Sequence, residues 1–341
     1  MPQRKRPPQR AHLTYRQINR LLPFTNAPLF HALQLLATGD SARFHMPGHK
    51  GEPLFNTYAE VFAIDFTETY GTGNLYLGDG PIRDAEVAAA LYFGASDCFF
   101  LTGGSTQGIM AMLATAVGKG GSVLLDRECH KSVCHACALL DITPYFVSAP
   151  LIEPFAVSGE LPKDAIERAL LDYPDVKAVL VTSPTYYGVR RALPELADLC
   201  RAYGKSLLVD AAHGAHFPTV GLPAPIAEGA DMAVLSMHKT LPCLGQGAVV
   251  LCGAGVDKRA LRENTALFGT SSPSYPIMAS IDLARAYTEG PGRAAYRRSA
   301  ETCEELREYI ARRTGFTPLT PAHFPALDPC RLTVCTAGTD A

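Results

Sequence analysis

The 341-residue sequence predicts an α/β domain in which a mostly parallel, seven-stranded sheet carries helices on both faces. Two observations predict it. From residue 97 onward, apolar runs rich in β-branched and aromatic residues alternate with stretches of helical pattern. Most of these runs are continuously apolar, as suits strands covered on both sides. Composition agrees: 47% hydrophobic and 19% charged residues exclude the disordered class. With 31 Lys and Arg against 33 Asp and Glu, the net charge of −2 provides no field for nucleic acid or an anionic membrane. No run approaches the roughly 20 apolar residues of a membrane helix. The basic start MPQRKRPPQR is followed by polar AHLTYRQINR, where a signal peptide needs an apolar stretch. The expected setting is cytoplasmic, with no nucleic-acid or membrane partner. The ten cysteines, scattered from 98 to 335, read as reduced thiols rather than a disulfide framework.

Residues 1–40 form an N-terminal segment, partly disordered. Its Pro/Arg/Lys-rich first ten residues read as a solvated tail, and PLFHALQLLAT (28–38) as an amphipathic helix ended by Gly39. The first core strand is DCFFLT (97–102), which runs into GGSTQG and the helical IMAMLATAV. SVLLD (122–126) is next, followed by a helix near 131–140 and a strand at 144–147. VKAVLVT (176–182), a helix near 193–203, and strands at 207–210, 232–236 and 248–252 complete the sheet. In such sheets ligands bind beyond the carboxyl ends of the strands, so the residues that follow each strand carry the chemistry.

After the first strand, GGSTQG (103–108) lets the backbone turn tightly and sets Ser105 and Thr106 at a helix N-terminus. That is an anion site suited to a phosphate, and equally the look of a helix cap. It is neither a Walker loop nor a dinucleotide fingerprint. RECHKS (127–132) places His130 near the same edge, as a functional or a capping histidine. Asp210 closes an apolar strand, where a carboxylate is costly unless paired, and His213 stands three residues on. SMHKT (236–240) brings His238 and Lys239 directly after another buried strand, where a lysine is poorly placed for solvent and its amine gains nucleophilicity. CHKSVCHAC (129–137) admits a zinc reading, but zinc wants four convergent ligands and no second CxxC exists; Cys134 and Cys137 fall within a helix, where Cys is commonly core. No GxSxG elbow supports a serine hydrolase. A phosphate cradle, an imidazole, a buried aspartate and a strand-end lysine are together what pyridoxal phosphate needs.

On these residues the chain resembles the fold-type-I pyridoxal-phosphate decarboxylases of ornithine, lysine and arginine. The matching segments are FHMPGHKG (44–51), DFTETYGTGNLY (65–76), LTGGSTQGIMAML (101–113), RECHKSV (127–133), SPTYYGV (183–189), LLVDAAHGAHF (207–217), SMHKT (236–240) and TSSPSY (270–275). They run in family order. The resemblance implies pyridoxal 5′-phosphate as cofactor, with Lys239 as the Schiff-base lysine and Asp210 as partner of the pyridine nitrogen. It places His130 on one ring face and Ala212 against the other. Ser105, Thr106, Ser236 and His238 become phosphate ligands, His213 orients the aspartate or the substrate, and Ser183 or Thr185 reaches the ring hydroxyl. It also implies a homodimer or higher homo-oligomer, since TSSPSY approaches the neighbouring subunit's phosphate.

The implied activity is decarboxylation of a basic L-amino acid to a polyamine-type amine. An aminotransferase or lyase of the same fold type, and an inactive truncated homologue acting through dimerisation, are the alternatives. Residues 41–290 correspond to the cofactor-binding major domain. Residues 291–341 correspond to a linker helix and the start of a small C-terminal domain, with RLTVCT (331–336) as its first strand. The position of HMPGHKG resembles the short form, without an N-terminal wing domain, and the resemblance implies a further hundred or so residues beyond the end of the chain.

Overall fold

The apolar runs assemble into one sheet of seven strands: β1 (Asp97–Leu101), β2 (Ser122–Asp126), β3 (Thr143–Val147), β4 (Val176–Thr182), β5 (Ser206–Asp210), β6 (Met232–Leu235) and β7 (Ala248–Cys252). The structure, a computed structural model, describes residues 26–39 and 41–336; the basic tail read over 1–10 lies outside the described residues. The spatial order is β1-β7-β6-β5-β4-β2-β3. All neighbours pair in parallel except β7, which is antiparallel to both β1 and β6. The carboxyl ends of the other six strands therefore share one edge of the sheet.

Side chains alternate between two cores, as the two-residue period of a strand requires. Cys98, Phe100, Leu124, Val179, Leu207, Val209 and Leu235 face one layer. That layer holds α1 (Pro28–Thr38), α2 (Gly80–Phe93), α5 (Leu193–Ala202) and α8 (Tyr275–Glu289). Phe99, Leu101, Leu125, Leu180, Leu208 and Val234 face the other. There they meet α3 (Gly104–Ala116), α4 (Lys131–Leu140) and α7 (Lys258–Leu267). Coverage of both faces is why the strands read as unbroken apolar runs. The edge strand β3 is largely exposed, whereas the opposite edge strand β1 is buried throughout. In α4, Cys137 is core as expected, whereas Cys134 faces solvent.

Helix α3 lies unusually close to the sheet because Gly108 has no side chain. A Cβ there would stand 2.6 Å from Val234 Cγ2 and 2.8 Å from Leu101 Cδ1. This contact aims the N-terminus of α3 at the carboxyl edge. A short helix, α6 (Met237–Thr240), follows β6 directly. After the 22-residue α9 (Gly292–Arg313), the two-residue strands β8 (Thr317–Pro318) and β9 (Val334–Cys335) pair antiparallel. The intervening chain folds back on the body: Leu327 bridges to Val189, and Asp328 N donates to Gly188 O at 2.8 Å.

Gly108→Ala is expected to overpack this contact and destabilise the fold by about 1–3 kcal/mol, since both neighbours are walls of the core rather than flexible ends. A lowered urea midpoint with unchanged m-value would report it; an unchanged midpoint would show that α3 can move away freely.

Candidate active site

Asp210 ends β5 in the middle of the sheet and is 3% exposed. Its Oδ1 accepts one hydrogen bond, from Ala212 N at 3.1 Å. Burial pushes its carboxyl above the ordinary 3.8; the Ala212 bond and the charges of Lys239 and His130 act the other way. A desolvated carboxylate with a single neutral donor is incomplete as a buried ion and favours a cation placed against it. Ala212 is itself buried against the sheet edge.

Lys239 reaches the same place from β6, the parallel neighbour of β5. Its Nζ lies 3.3 Å from Nε2 of His213. Contrary to the sequence expectation, Lys239 is exposed. Helix α6 turns immediately after the strand, so Met237 takes the buried position and Lys239, two residues on, stands over the open edge. His130, also exposed, lies close enough for Asp210 and Lys239 to shift its proton affinity in opposite senses. It is at the same time the N-cap of α4: its Nδ1 accepts from Ser132 N at 3.2 Å and faces Ser132 Oγ at 2.8 Å. The capping reading is realised through the acceptor nitrogen, and it leaves the residue exposed at the carboxyl edge.

The cradle and the lysine-bearing helix clasp one turn between them. Gly104 N donates to Gln246 O at 2.9 Å. His238 bonds the next residue, Gly247 O, through its backbone N–H at 3.1 Å and its Nδ1 at 3.0 Å. Since a carbonyl only accepts, the His238 proton sits on Nδ1 and Nε2 presents a lone pair; it donates to an anion only as imidazolium. At the head of α3 the cap residue is Gly103, so no side chain satisfies the first-turn N–H groups. Among the described residues, the hydroxyls of Ser105 and Thr106 make no hydrogen bond. Ser236 Oγ, fully buried at the end of β6, also has no partner. Unsatisfied donors of this kind, around a helix N-terminus, suit an anion. Ser183 and Thr185 behave differently. Both hydroxyls accept from local backbone, Ser183 Oγ from Arg191 N at 3.1 Å and Thr185 Oγ1 from Val189 N at 3.2 Å. They shape the turn after β4.

Two residues escaped the sequence reading. Arg331, from the segment read only as a strand, reaches back to place its guanidinium 3.2 Å from His213 Nδ1. Tyr186, inside the quoted SPTYYGV, stands edge-on to the His213 ring with centroids 5.4 Å apart, and Arg331 lies over its face. The tyrosine motif was visible in the sequence; no local signal marked the arginine, which is 118 residues from the histidine it meets.

Burial, then the charges of Lys239 and Arg331, push His213 down from 6.5 to about 4. The unfolded chain takes up this proton near 6.5 and the folded one only near 4, so His213 costs stability as pH falls through that window, with the loss complete below it. His213→Asn is expected to flatten the dependence of the urea midpoint on pH between about 6.5 and 4. An unchanged profile would show that His213 titrates normally.

Residues 27–340 match the family described as Orn/Lys/Arg decarboxylase, major domain. The uncharacterized protein YaaO of Bacillus subtilis is 38% identical over 274 residues, covering 77% of this chain and 57% of that protein. An arginine decarboxylase of Halalkalibacterium halodurans is 32% identical, covering 83% and 60%. The chain thus spans about three-fifths of the length of these relatives. The crystal structure of the Francisella novicida lysine decarboxylase LdcF superposes with a TM-score of 0.79 at 21% identity, over 92% of this chain and 52% of that one. That likeness bears on the fold: the large domain of fold-type-I pyridoxal-phosphate enzymes. The residues gathered at the carboxyl edge and the match along nearly the whole chain have one reading: the chain belongs to the Orn/Lys/Arg decarboxylase family and carries its major domain.

Proposed function

We propose that this chain is the cofactor-binding part of a pyridoxal-phosphate-dependent decarboxylase of a basic L-amino acid, arginine being the first to assay because several relatives are arginine decarboxylases. The observation that carries the reading is that Asp210, at the end of β5, and Lys239, just after its parallel neighbour β6, share the carboxyl edge within reach of each other's charge. The buried, unpartnered hydroxyl of Ser236, the accessible hydroxyls of Ser105 and Thr106 and the uncapped head of α3 support a phosphate site beside them.

When bound, the cofactor supplies the electron sink that lets the bond between the substrate's α-carbon and its carboxylate break. Lys239 supplies the amine that tethers the cofactor's aldehyde. Asp210 holds a proton at the ring nitrogen, and the cation so formed offsets the cost of burying the carboxylate. Ala212, small and buried, would pack against one face of the bound ring, and the His130 imidazole would cover the other. His213 stands beside Lys239 and orients its amine. His238 contributes to the phosphate site through Nε2 when protonated.

A homodimer is part of the reading. Residues 270–272 of TSSPSY are exposed, as suits a segment that serves a neighbouring subunit. A cytoplasmic setting is supported by ten unpaired cysteines; among the described residues no helix is long and apolar enough to cross a membrane.

Borohydride reduction of the protein loaded with pyridoxal phosphate should place the pyridoxyl group on Lys239 in peptide maps. Its appearance on another lysine, with Lys239→Ala still showing the cofactor's absorbance, would refute the assignment. Asp210→Asn should weaken cofactor binding and lower CO2 release from the basic amino acid by at least about a hundredfold, or ~2.7 kcal/mol. Release of a keto acid instead of CO2 would move the chain to an aminotransferase reaction.

A further inference from the structure

The head of α3 opens on two consecutive glycines, Gly103 at the cap and Gly104 in the first turn. Glycine loses more backbone freedom on ordering than any other residue, so this turn needs an anchor. Each glycine is pinned by one hydrogen bond. Gly104 N donates to Gln246 O at 2.9 Å, and Gly103 N donates to Oε1 of Gln107 at 2.9 Å. Gln107 lies one turn further along the same helix and is 2% exposed. The other end of its carboxamide, Nε2, donates to the carbonyl of Thr265 in α7 at 2.7 Å. A backbone N–H only donates and a backbone carbonyl only accepts, so the two partners fix which end of the amide is oxygen and which is nitrogen.

The amide is closely enclosed at both ends. A Cβ on Gly103 would stand 2.8 Å from Oε1, and one on Gly269 would stand 2.6 Å from Nε2. Gly103 has φ −105°, outside the region that favours glycine, so its missing side chain serves this close approach. The arrangement is the returning half of a capping box, with the acceptor one residue further into the helix than usual. The outward half is missing: no side chain caps the head of α3. The turn is therefore held while the donors of Ser105 and Thr106 stay open. An ionised glutamate could accept the same N–H, but it would bring negative charge to a helix head suited to an anion. The amide brings none.

We propose that Gln107 is a positioning residue of the phosphate cradle. It pre-organises the Gly103–Gly104 turn by tying it to α7, so that Ser105 and Thr106 meet the cofactor's phosphate without first having to order the loop. The role rests on the proposed phosphate site. Pre-organisation raises affinity by removing an ordering cost, and only for a ligand that uses the ordered loop. Pyridoxal, with the same ring and aldehyde but no phosphate, does not use it.

The test measures, near pH 7, the affinities of the cofactor-free 341-residue protein for pyridoxal 5′-phosphate and for pyridoxal. Wild type is compared with Gln107→Met and Gly103→Ala. Methionine keeps the buried stem and removes both hydrogen bonds. Alanine at 103 drives a Cβ against Oε1 and so breaks the same bond from its exposed end. Each variant should bind pyridoxal phosphate about tenfold more weakly, the effect of one hydrogen bond, and bind pyridoxal as wild type does. Equal losses for both ligands in Gln107→Met would reveal a general structural role. An unchanged preference for the phosphorylated ligand would show that the turn needs no such anchor. Either result overturns the proposal. If Gln107→Met does not fold, the same two outcomes in Gly103→Ala decide it. A wild type that binds pyridoxal phosphate no better than pyridoxal overturns the phosphate site itself, and the role of Gln107 with it.

Discussion

The site is organised by one costly placement, the carboxylate of Asp210 at the end of the central strand β5. It is almost completely buried, has one backbone donor, and is pushed above the ordinary carboxylate range. Only a rigid surround sustains such a group. Two apolar cores, one on each face of the sheet, supply that rigidity, and the parallel neighbours β4 and β6 hold β5 in register on both sides. The groups near Asp210, Lys239 and His130, come from elements fixed by the same sheet edge. A cationic ring nitrogen is the chemical complement that this arrangement lacks on its own.

A second buried pair steadies the edge without taking part in the chemistry. Asp126, at the end of β2, meets Arg191 at 3.0 Å, and both side chains are inaccessible. Asp126 also accepts from Glu128 N at 3.0 Å, which shapes the approach to His130. Removing either partner would leave an uncompensated buried charge, typically worth about 3–5 kcal/mol. Its value to the site is geometric: it ties the turn after β4, where Ser183 and Thr185 brace the backbone, to the strand that delivers His130.

The chain after α9 adds a wall that the sheet alone does not provide. His216, Asp328, Arg307 and Arg331 link the loop after β5 to the C-terminal segment through buried polar contacts. Through them the imidazole next to Lys239 receives a partner on its far side. The chemistry of the edge thus depends on a stretch whose own secondary structure is two short strands of two residues each.

The order and type of the core elements were legible in the sequence, because strands buried on both faces leave unbroken apolar runs and helices leave a different period. Asp210, Lys239, His130, Ser105 and Thr106 were singled out for a related reason: each ends or follows a strand, and the carboxyl ends of parallel strands must share an edge; Ser236 entered only through the family resemblance. The strand order, the reversal of β7 and the exposure of Lys239 were not, since they depend on pairing and on where α6 turns. Nor was it legible that the hydroxyls of Ser183 and Thr185 accept from local backbone N–H groups. The sequence by itself determined the fold class and the set of chemical groups. Only the tertiary structure decided which of them meet, above all that Arg331 closes on His213, because a contact across 118 residues leaves no periodicity and arises only when separate elements pack.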